Sequence, residues 1–316
     1  MSLKSRLRRI NILKKAYGYY MYQKYYRIFK KGPKYAADYW YHESVGGHID
    51  WDNPKDLNQK IAWMQFNTDT SLWTKCADKY RVREYVTEKG FGDNLVKLYG
   101  MWENPEDIDF SQLPARFVLK ANNGCGTVLC VNDKSSLNIP WIKKELKTWL
   151  KRPYGYRGAQ LHYLLIKPCI IAEELLEGDA EQKKISPKSL IDYKIWCING
   201  EPQCIMVVFG RENKTYYRQV YDLSWNKMPE VINMTSNGHF SYKEEVNIPK
   251  PACLTELLNM ARVLSSPFPE VRADFYIVND KPYFGELTFT AGMGSFTNEF
   301  YNQMGSKIDL SKLKMK

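Results

Sequence analysis

The sequence predicts an α+β fold with antiparallel sheets. Two observations carry this. Strand-like runs return on themselves across short turns, and helical stretches are mixed among those hairpins. A hydrophobic fraction of 44% over 316 residues supports a real core, in one large domain or two to three small ones. There are no internal repeats, and no low-complexity segment outside the N-terminal tail.

Residues 1–35 come first. Leu3, Leu7, Ile10, Leu13, Tyr17, Tyr20 and Ile28 fall near helical spacing, and Gly32-Pro33 is a plausible end. Residues 1–37 hold eleven of the 46 Lys and Arg residues and no acid, so the remaining 35 basic residues match the 35 acidic ones. The tail therefore carries the whole +11 imbalance, and a body-wide nucleic-acid footprint is not expected. Basic residues interleaved with Tyr19, Tyr20, Tyr22, Tyr25 and Tyr26 suit a helix lying on an anionic membrane surface. Packing on the body and an RNA-binding arm are the alternatives for this helix.

The body follows. Residues 36–75 are rich in Trp and Tyr, with helix starts near Asn53-Pro54 and Thr70-Ser71. One helix is expected over Lys75–Lys89, then a strand at Leu95–Tyr99. Arg116–Ala121 reads as a strand leading into the turn Asn122-Asn123-Gly124-Cys125-Gly126-Thr127, and Val128–Val131 returns. A helix over Pro140–Lys151 and a buried strand at Cys169–Glu173 come next. Tyr193–Ile198 and Gln203–Phe209 form a hairpin across Asn199-Gly200-Glu201, and Glu256–Leu264 is a helix.

The most informative segment is 272–294, RADFYIVNDKPYFGELTFTAGMG. Strand runs Ala273–Val278 and Tyr283–Thr288 each carry a carboxylate, Asp274 and Glu286. Close carboxylates repel unless a cation lies between them, and oxygen sites of this kind suit Mg²⁺. Twelve residues separate the two acids, an even number. Direct pairing therefore needs an odd loop or a bulge instead of a plain two-residue turn. Thr288 and Thr290 share the face of Glu286, and Arg272 shares that of Asp274.

Further candidates lie upstream. Lys120 within a strand, followed by the glycine turn 122–127, is one way to hold polyphosphate, through backbone N–H groups and a point charge. The turn is neither a Walker A loop nor a dinucleotide fingerprint. The run Glu173-Glu174-Leu175-Leu176 offers backbone groups to a purine edge. Asp192 and Lys194 share a strand face with Arg211 at the end of the neighbouring strand, a set suited to ribose and phosphate. Each of these also has a bland reading as a solvated face or turn.

In this order the segments DKYRVREYV, FVLKANNGCG, DYKIWCINGEP and RADFYIVNDKPYFGELTFTAGMG resemble the TupA-like ATP-grasp family of surface-polysaccharide biosynthesis, over roughly residues 60–310. The resemblance implies an ATP-grasp fold, with two α+β subdomains whose antiparallel sheets clasp ATP, plus the basic helical segment 1–35. The divisions expected are a helical N-terminal subdomain at 36–115, a small subdomain with the glycine loop at 116–175, and a C-terminal subdomain with the metal site at 176–316. It also implies residue roles. Lys79 and Lys120 would contact ATP phosphates under the loop of Asn123, Gly124, Gly126 and Thr127. Glu173, Glu174 and the Leu176 backbone would line the adenine slot, and Asp192 would hold the ribose. Asp274, Glu286 and Thr288 would bind Mg²⁺. Arg272, Arg211 and Lys194 would be the catalytic cations, and Gly292-Met293-Gly294 would close the site. The chain departs from the usual ligase pattern at Thr288, where asparagine is common, and at Tyr156–Gln160.

The implied activity is ATP-dependent carboxylate–amine ligation through an acyl phosphate. A uronic acid or lipid-linked glycan and an amino acid are the expected substrates. Alternatives are a sugar kinase, a glycosyltransferase, which calls for an Asp-x-Asp metal motif, and a catalytically silent ATP-binding scaffold at the membrane surface. Seven cysteines without zinc-like spacing point to reduced, mostly buried thiols in a cytoplasmic protein, peripheral at the inner face of the membrane if the tail docks there. No apolar run approaches the length of a membrane span, and no signal peptide is evident.

Overall fold

The computed structural model describes residues 3–212, 215–234 and 240–316. α1 (Leu3–Lys30) is one continuous helix, as the tail's spacing predicts, and it stops before Gly32-Pro33. The side chains of residues 3–15, among them Leu3, Leu7, Ile10 and Leu13, lie outside the described residues. Further along, Tyr22, Tyr26 and Phe29 pack their rings around Tyr156, and Tyr25 meets Trp40 edge-on at 5.1 Å. The second half of the helix is thus fastened to the body, whereas Tyr17, Tyr19 and Tyr20 are exposed.

α2 (Pro33–Val45) and α3 (Leu57–Asn67) cover a small core of Ala36, Ala37, Tyr41, Ile49, Ala62 and Ala159. Asp56 caps α3 by accepting from the Asn58 and Gln59 amides, and it also accepts from the Tyr41 hydroxyl at 2.6 Å. The start expected near Asn53-Pro54 therefore falls later. Asp50 turns the chain at that point by accepting from the Asp52 and Asn53 amides.

The single helix expected over Lys75–Lys89 is two, α4 (Ser71–Ala77) and α5 (Val82–Glu88). Buried Asp78 accepts from the amides of Tyr80 and Arg81, which ends one helix and starts the next. The break leaves Lys79 outside both helices, with its amide bonded to the Asn122 carbonyl at 2.9 Å.

The first sheet is antiparallel, in the order β1-β4-β2-β3, from β1 (Leu98–Trp102), β2 (Phe117–Ala121), β3 (Val128–Val131) and β4 (Ile170–Glu173). β1 begins three residues later than expected, because Leu95 ends a tight turn and makes an isolated bridge to Phe284. This sheet thus takes one strand from the 36–115 segment. Alternation sends Phe117, Leu119 and Ala121 into a core under α6 (Ile139–Leu150), with Ile142 and Leu146. Val118 and Lys120 face the other way. α7 (Leu161–Leu164) precedes β4, and α8 (Ala180–Ile185) follows it.

The second sheet runs β10-β9-β5-β6-β7-β8. Its strands are β5 (Asp192–Ile198), β6 (Glu201–Glu212), β7 (Thr215–Tyr221), β8 (Phe240–Ser241), β9 (Glu270–Val278) and β10 (Lys281–Thr288). All neighbours are antiparallel except β7 and β8. α9 (Leu254–Ser265) packs on β5, β6 and β9, burying Leu257, Met260, Ala261 and Leu264, and α10 (Asn298–Ser306) packs on α3. The fold is α+β, as expected. All seven cysteines are free, and five of them are buried. Among the described residues no helix is long and apolar enough to cross a membrane.

Candidate active site between two cavities

The β9–β10 hairpin turns at Asn279 and Asp280, both in the left-handed region at φ 51° and 59°, with Lys281 opposite Val278. A two-residue turn alone would set Asp274 opposite Gly285. The register instead shifts between Phe284 and Glu286, so Gly285 is the extra residue and Glu286 stands opposite Asp274. This is the bulge that the even spacing requires. Glycine is needed there, since a Cβ would lie 2.9 Å from the Asp274 carbonyl oxygen.

Cations surround the two acids. Arg272 grips buried Asp274 bidentately, Nε to Oδ1 at 2.6 Å and Nη2 to Oδ2 at 2.7 Å. Lys194 on β5 donates to the same carboxylate. Burial alone would raise the Asp274 pKa, but Arg272 and Lys194 outweigh it and hold the carboxyl below its ordinary range. Glu286 lies 3.6 Å from Arg272 Nη2 and 3.7 Å from Lys79 Nζ, and it accepts from the Thr288 hydroxyl at 3.2 Å. Arg272 Nη2 in turn donates to that hydroxyl at 3.1 Å.

This donor set fits Mg²⁺. Two hard carboxylates and a hydroxyl converge, and Mg²⁺ takes one or two carboxylates and completes its shell with phosphate and water oxygens. Among the described residues no third His, Cys, Asp or Glu joins them, so phosphate and water would have to supply the remaining ligands.

A cleft of about 450 Å³ lies on one side of this cluster, between the two sheets. Lys120, Glu174, Leu176, Asp192, Arg211 and Tyr276 line it. Arg211 Nε and Nη2 donate to Asp192 Oδ2 at 2.9 and 2.6 Å, so this arginine belongs to the cleft, and its ion pair is with Asp192 instead of Asp274 or Glu286. The Asp192 charge, and after it burial, push the Tyr276 phenol well above its ordinary range. Glu173 does not line the cleft. It is buried, accepting from Lys120 Nζ at 2.7 Å and from Arg83 Nη1 at 3.2 Å, because the alternation of β4 turns it toward the cations of β2 and α5.

A chamber of about 480 Å³ lies on the other side. Arg272, Glu286 and Thr288 stand at its wall with Gly124 and Cys125 of the glycine turn, and Gly292 and Met293 contribute as well. The turn thus borders the chamber, not the cleft. Gly124 and Gly126 have φ of 70° and 82°. Lys79 donates to the Gly124 carbonyl, and a Cβ on Gly124 would overlap the Tyr154 ring. Asn123 is buried, and the Thr127 carbonyl accepts from the Ala121 amide. Lys79 therefore reaches the hairpin, while Lys120 stays in the cleft.

One strand face links the two cavities. Arg272, Asp274 and Tyr276 alternate along β9, with Arg272 in the chamber, Tyr276 in the cleft and Asp274 between them. Tyr154, Trp40, Asn58, Arg157 and Arg83 were not among the expected site residues. They come from distant segments and carry no local pattern. Two Asp-x-Asp triplets do occur, at Asp50–Asp52 and Asp107–Asp109, but neither lines the cleft or the chamber. Asp50 and Asp109 cap local turns instead.

The TupA-like ATPgrasp family model matches residues 59–309, most of the chain. The chain belongs to the TupA-like ATP-grasp family. ATP-grasp ligases use ATP and Mg²⁺ and form carbon–nitrogen bonds, and this chain is an ATP-grasp ligase. A comparison with curated proteins finds no match. Solved structures similar to this ATP-grasp chain include the D-alanine–D-alanine ligase from Bacillus anthracis complexed with ATP, at 13% identity and TM-score 0.45, covering 83% of this chain and 75% of that one. The D-alanine–D-alanine ligase from Helicobacter pylori matches at 11% and 0.43, covering 81% and 67%. The L-amino acid ligase from Bacillus licheniformis matches at 14% and 0.41, covering 71% and 42%.

Proposed function

We propose that the chain ligates a carboxylate to an amine, with ATP in the cleft and the carboxylate substrate in the chamber. The observation that carries this reading is the β9 face running from Tyr276 through Asp274 to Arg272, which puts the acid pair between the two cavities. Asp192 and Arg211 would hold the ribose end of the nucleotide, and Lys120 and Lys79 its phosphates. Asp274, Glu286 and Thr288 would hold Mg²⁺, which when bound neutralises phosphate charge and keeps the reacting groups in line.

A substrate carboxylate oxygen attacks the γ-phosphorus, and ADP leaves. The amine nitrogen then attacks the acyl carbon, loses a proton, and phosphate departs with the former carboxylate oxygen. Arg272 faces the chamber where negative charge develops, and no protein nucleophile is needed. The family resemblance and the aromatic rings around the chamber support a carbohydrate or lipid-linked glycan as one partner and an amino acid as the other. The exposed Tyr17, Tyr19 and Tyr20 on a basic helix support docking on an anionic membrane. Deleting residues 1–20 should abolish flotation with anionic liposomes, and retained flotation would remove that part.

The central test is Mg²⁺-dependent ADP release with D-glucuronate or D-galacturonate paired with amino acids. Asp274→Asn and Glu286→Gln should each lower it by roughly a hundredfold or more. Unchanged rates in both variants would overturn the assignment of the metal site.

A further inference from the structure

On the β9 face that joins the two cavities, Arg272 and Asp274 are committed to each other, and Lys194 adds to the same carboxylate. Tyr276 is not committed. It is half-buried in the wall of the cleft, and its hydroxyl makes no hydrogen bond among the described residues. Nor is that hydroxyl sealed beneath other atoms, so it meets the open space of the cleft.

Register fixes its surroundings. Asp192 on β5 stands directly opposite Tyr276, about 5 Å away across the strands. Asp274 lies two residues along the same strand, about 7 Å away. A Cβ on Gly285 would sit 3.4 Å from Tyr276 Cε2, so the ring leans over the bulge toward Glu286. The charge of Asp192 first, then burial and the charges of Glu286 and Asp274, hold the phenol well above its ordinary range. It therefore stays protonated at neutral pH and has an O–H to donate.

The phenol thus stands between the acid assigned to the ribose and the acids assigned to the metal. The connectivity of a nucleoside triphosphate says what fills that position. The α-phosphate joins the ribose, and the β- and γ-phosphates follow toward the metal. We propose that the Tyr276 hydroxyl donates a hydrogen bond to a non-bridging α-phosphate oxygen of the bound nucleotide. This contact fixes where along the cleft the triphosphate begins, so that its far end falls at Asp274 and Glu286 with the γ-phosphorus toward the chamber. The inference rests on the reading of the cleft as the nucleotide site.

The test is competitive binding of adenosine, AMP, ADP and a non-hydrolysable ATP analogue to the full chain with Mg²⁺. Tyr276→Phe keeps the ring and removes only the hydroxyl. It should leave adenosine affinity unchanged and weaken AMP, ADP and the analogue each about tenfold. The two diastereomers of ADP with sulfur on the α-phosphorus should bind the wild type unequally, and that difference should shrink in Tyr276→Phe. Loss already at adenosine, loss beginning only at ADP, or an undiminished preference between the diastereomers would overturn the assignment. Lys120→Met reports on the cleft separately. If it weakens ADP and the analogue while Tyr276→Phe changes nothing, the role of Tyr276 fails alone. If neither variant changes any affinity, the reading of the cleft as the nucleotide site fails.

Discussion

The cleft and the chamber differ in how their charges are held. In the cleft the expected ligand-binding cations already have protein partners, Arg211 on Asp192 and Lys120 on Glu173. In the chamber the outer wall presents Arg157, which stacks on the Tyr25 and Trp40 rings and pairs with no acid among the described residues. A nucleotide must compete with internal ion pairs, which favours a ligand that brings many charges at once. The chamber's ligand meets an arginine with no ion pair to break, so single groups on it decide the fit. The first arrangement suits a cosubstrate common to a family, and the second suits recognition particular to one member.

The comparison breaks first at Lys120. Lys120→Met should lower affinity for a non-hydrolysable ATP analogue by roughly a hundredfold and leave binding in the chamber unchanged, as titrating each ligand separately would reveal. It also leaves buried Glu173 with Arg83 as its one cation, so the melting temperature should fall as well. Equal losses in both cavities would mean that the two are not separable.

Gly285→Ala tests the hairpin that joins them. Its new Cβ would press on the Asp274 carbonyl at 2.9 Å and push Glu286 out of register. ADP release should drop about tenfold, with a stability loss of about 1–3 kcal/mol, while analogue binding in the cleft changes less than the rate. A rate like the wild type's would show that the bulge does not set the metal site.

Glu270 probes the start of the same hairpin, away from both cavities. It begins β9, two residues before Arg272, fully buried with both oxygens unpartnered, and burial raises its pKa well above the ordinary range. A folded pKa above the unfolded value of about 4.3 gives stability that is complete below that pH and is lost as pH rises. The loss is about 1.4 kcal/mol per pH unit until the folded pKa is reached. Glu270→Gln removes this slope. Its denaturation free energy should match the wild type near pH 4 and exceed it progressively toward pH 7. Parallel pH profiles would mean that Glu270 is ionised and paired.

Much of the β9–β10 hairpin was legible in the sequence, because parity alone shows that Asp274 and Glu286 need a bulge to meet. The β2 strand and its glycine turn were legible too, from apolar alternation bounded by Asn and Gly. The break at Asp78 was not, since a buried carboxylate that captures two amides looks like any polar residue in a helical stretch. Nor was the ion pairing of Glu173, which depends on β4 lying beside β2 after a gap of some fifty residues in the chain. The chamber's wall was the least legible. Trp40 and Arg157 meet only because α1 and α2 fold back on the 156–160 turn, and no periodicity records that contact.

The central claim is that the acid pair directs phosphoryl transfer from a nucleotide in the cleft to a carboxylate in the chamber. The most direct measurement follows a heavy-oxygen label in the carboxylate of the substrate that supports ADP release. One labelled oxygen should appear in the inorganic phosphate for each amide formed, and none in the phosphate released by Glu286→Gln at background rate. Phosphate that forms alongside amide without the label would contradict the account.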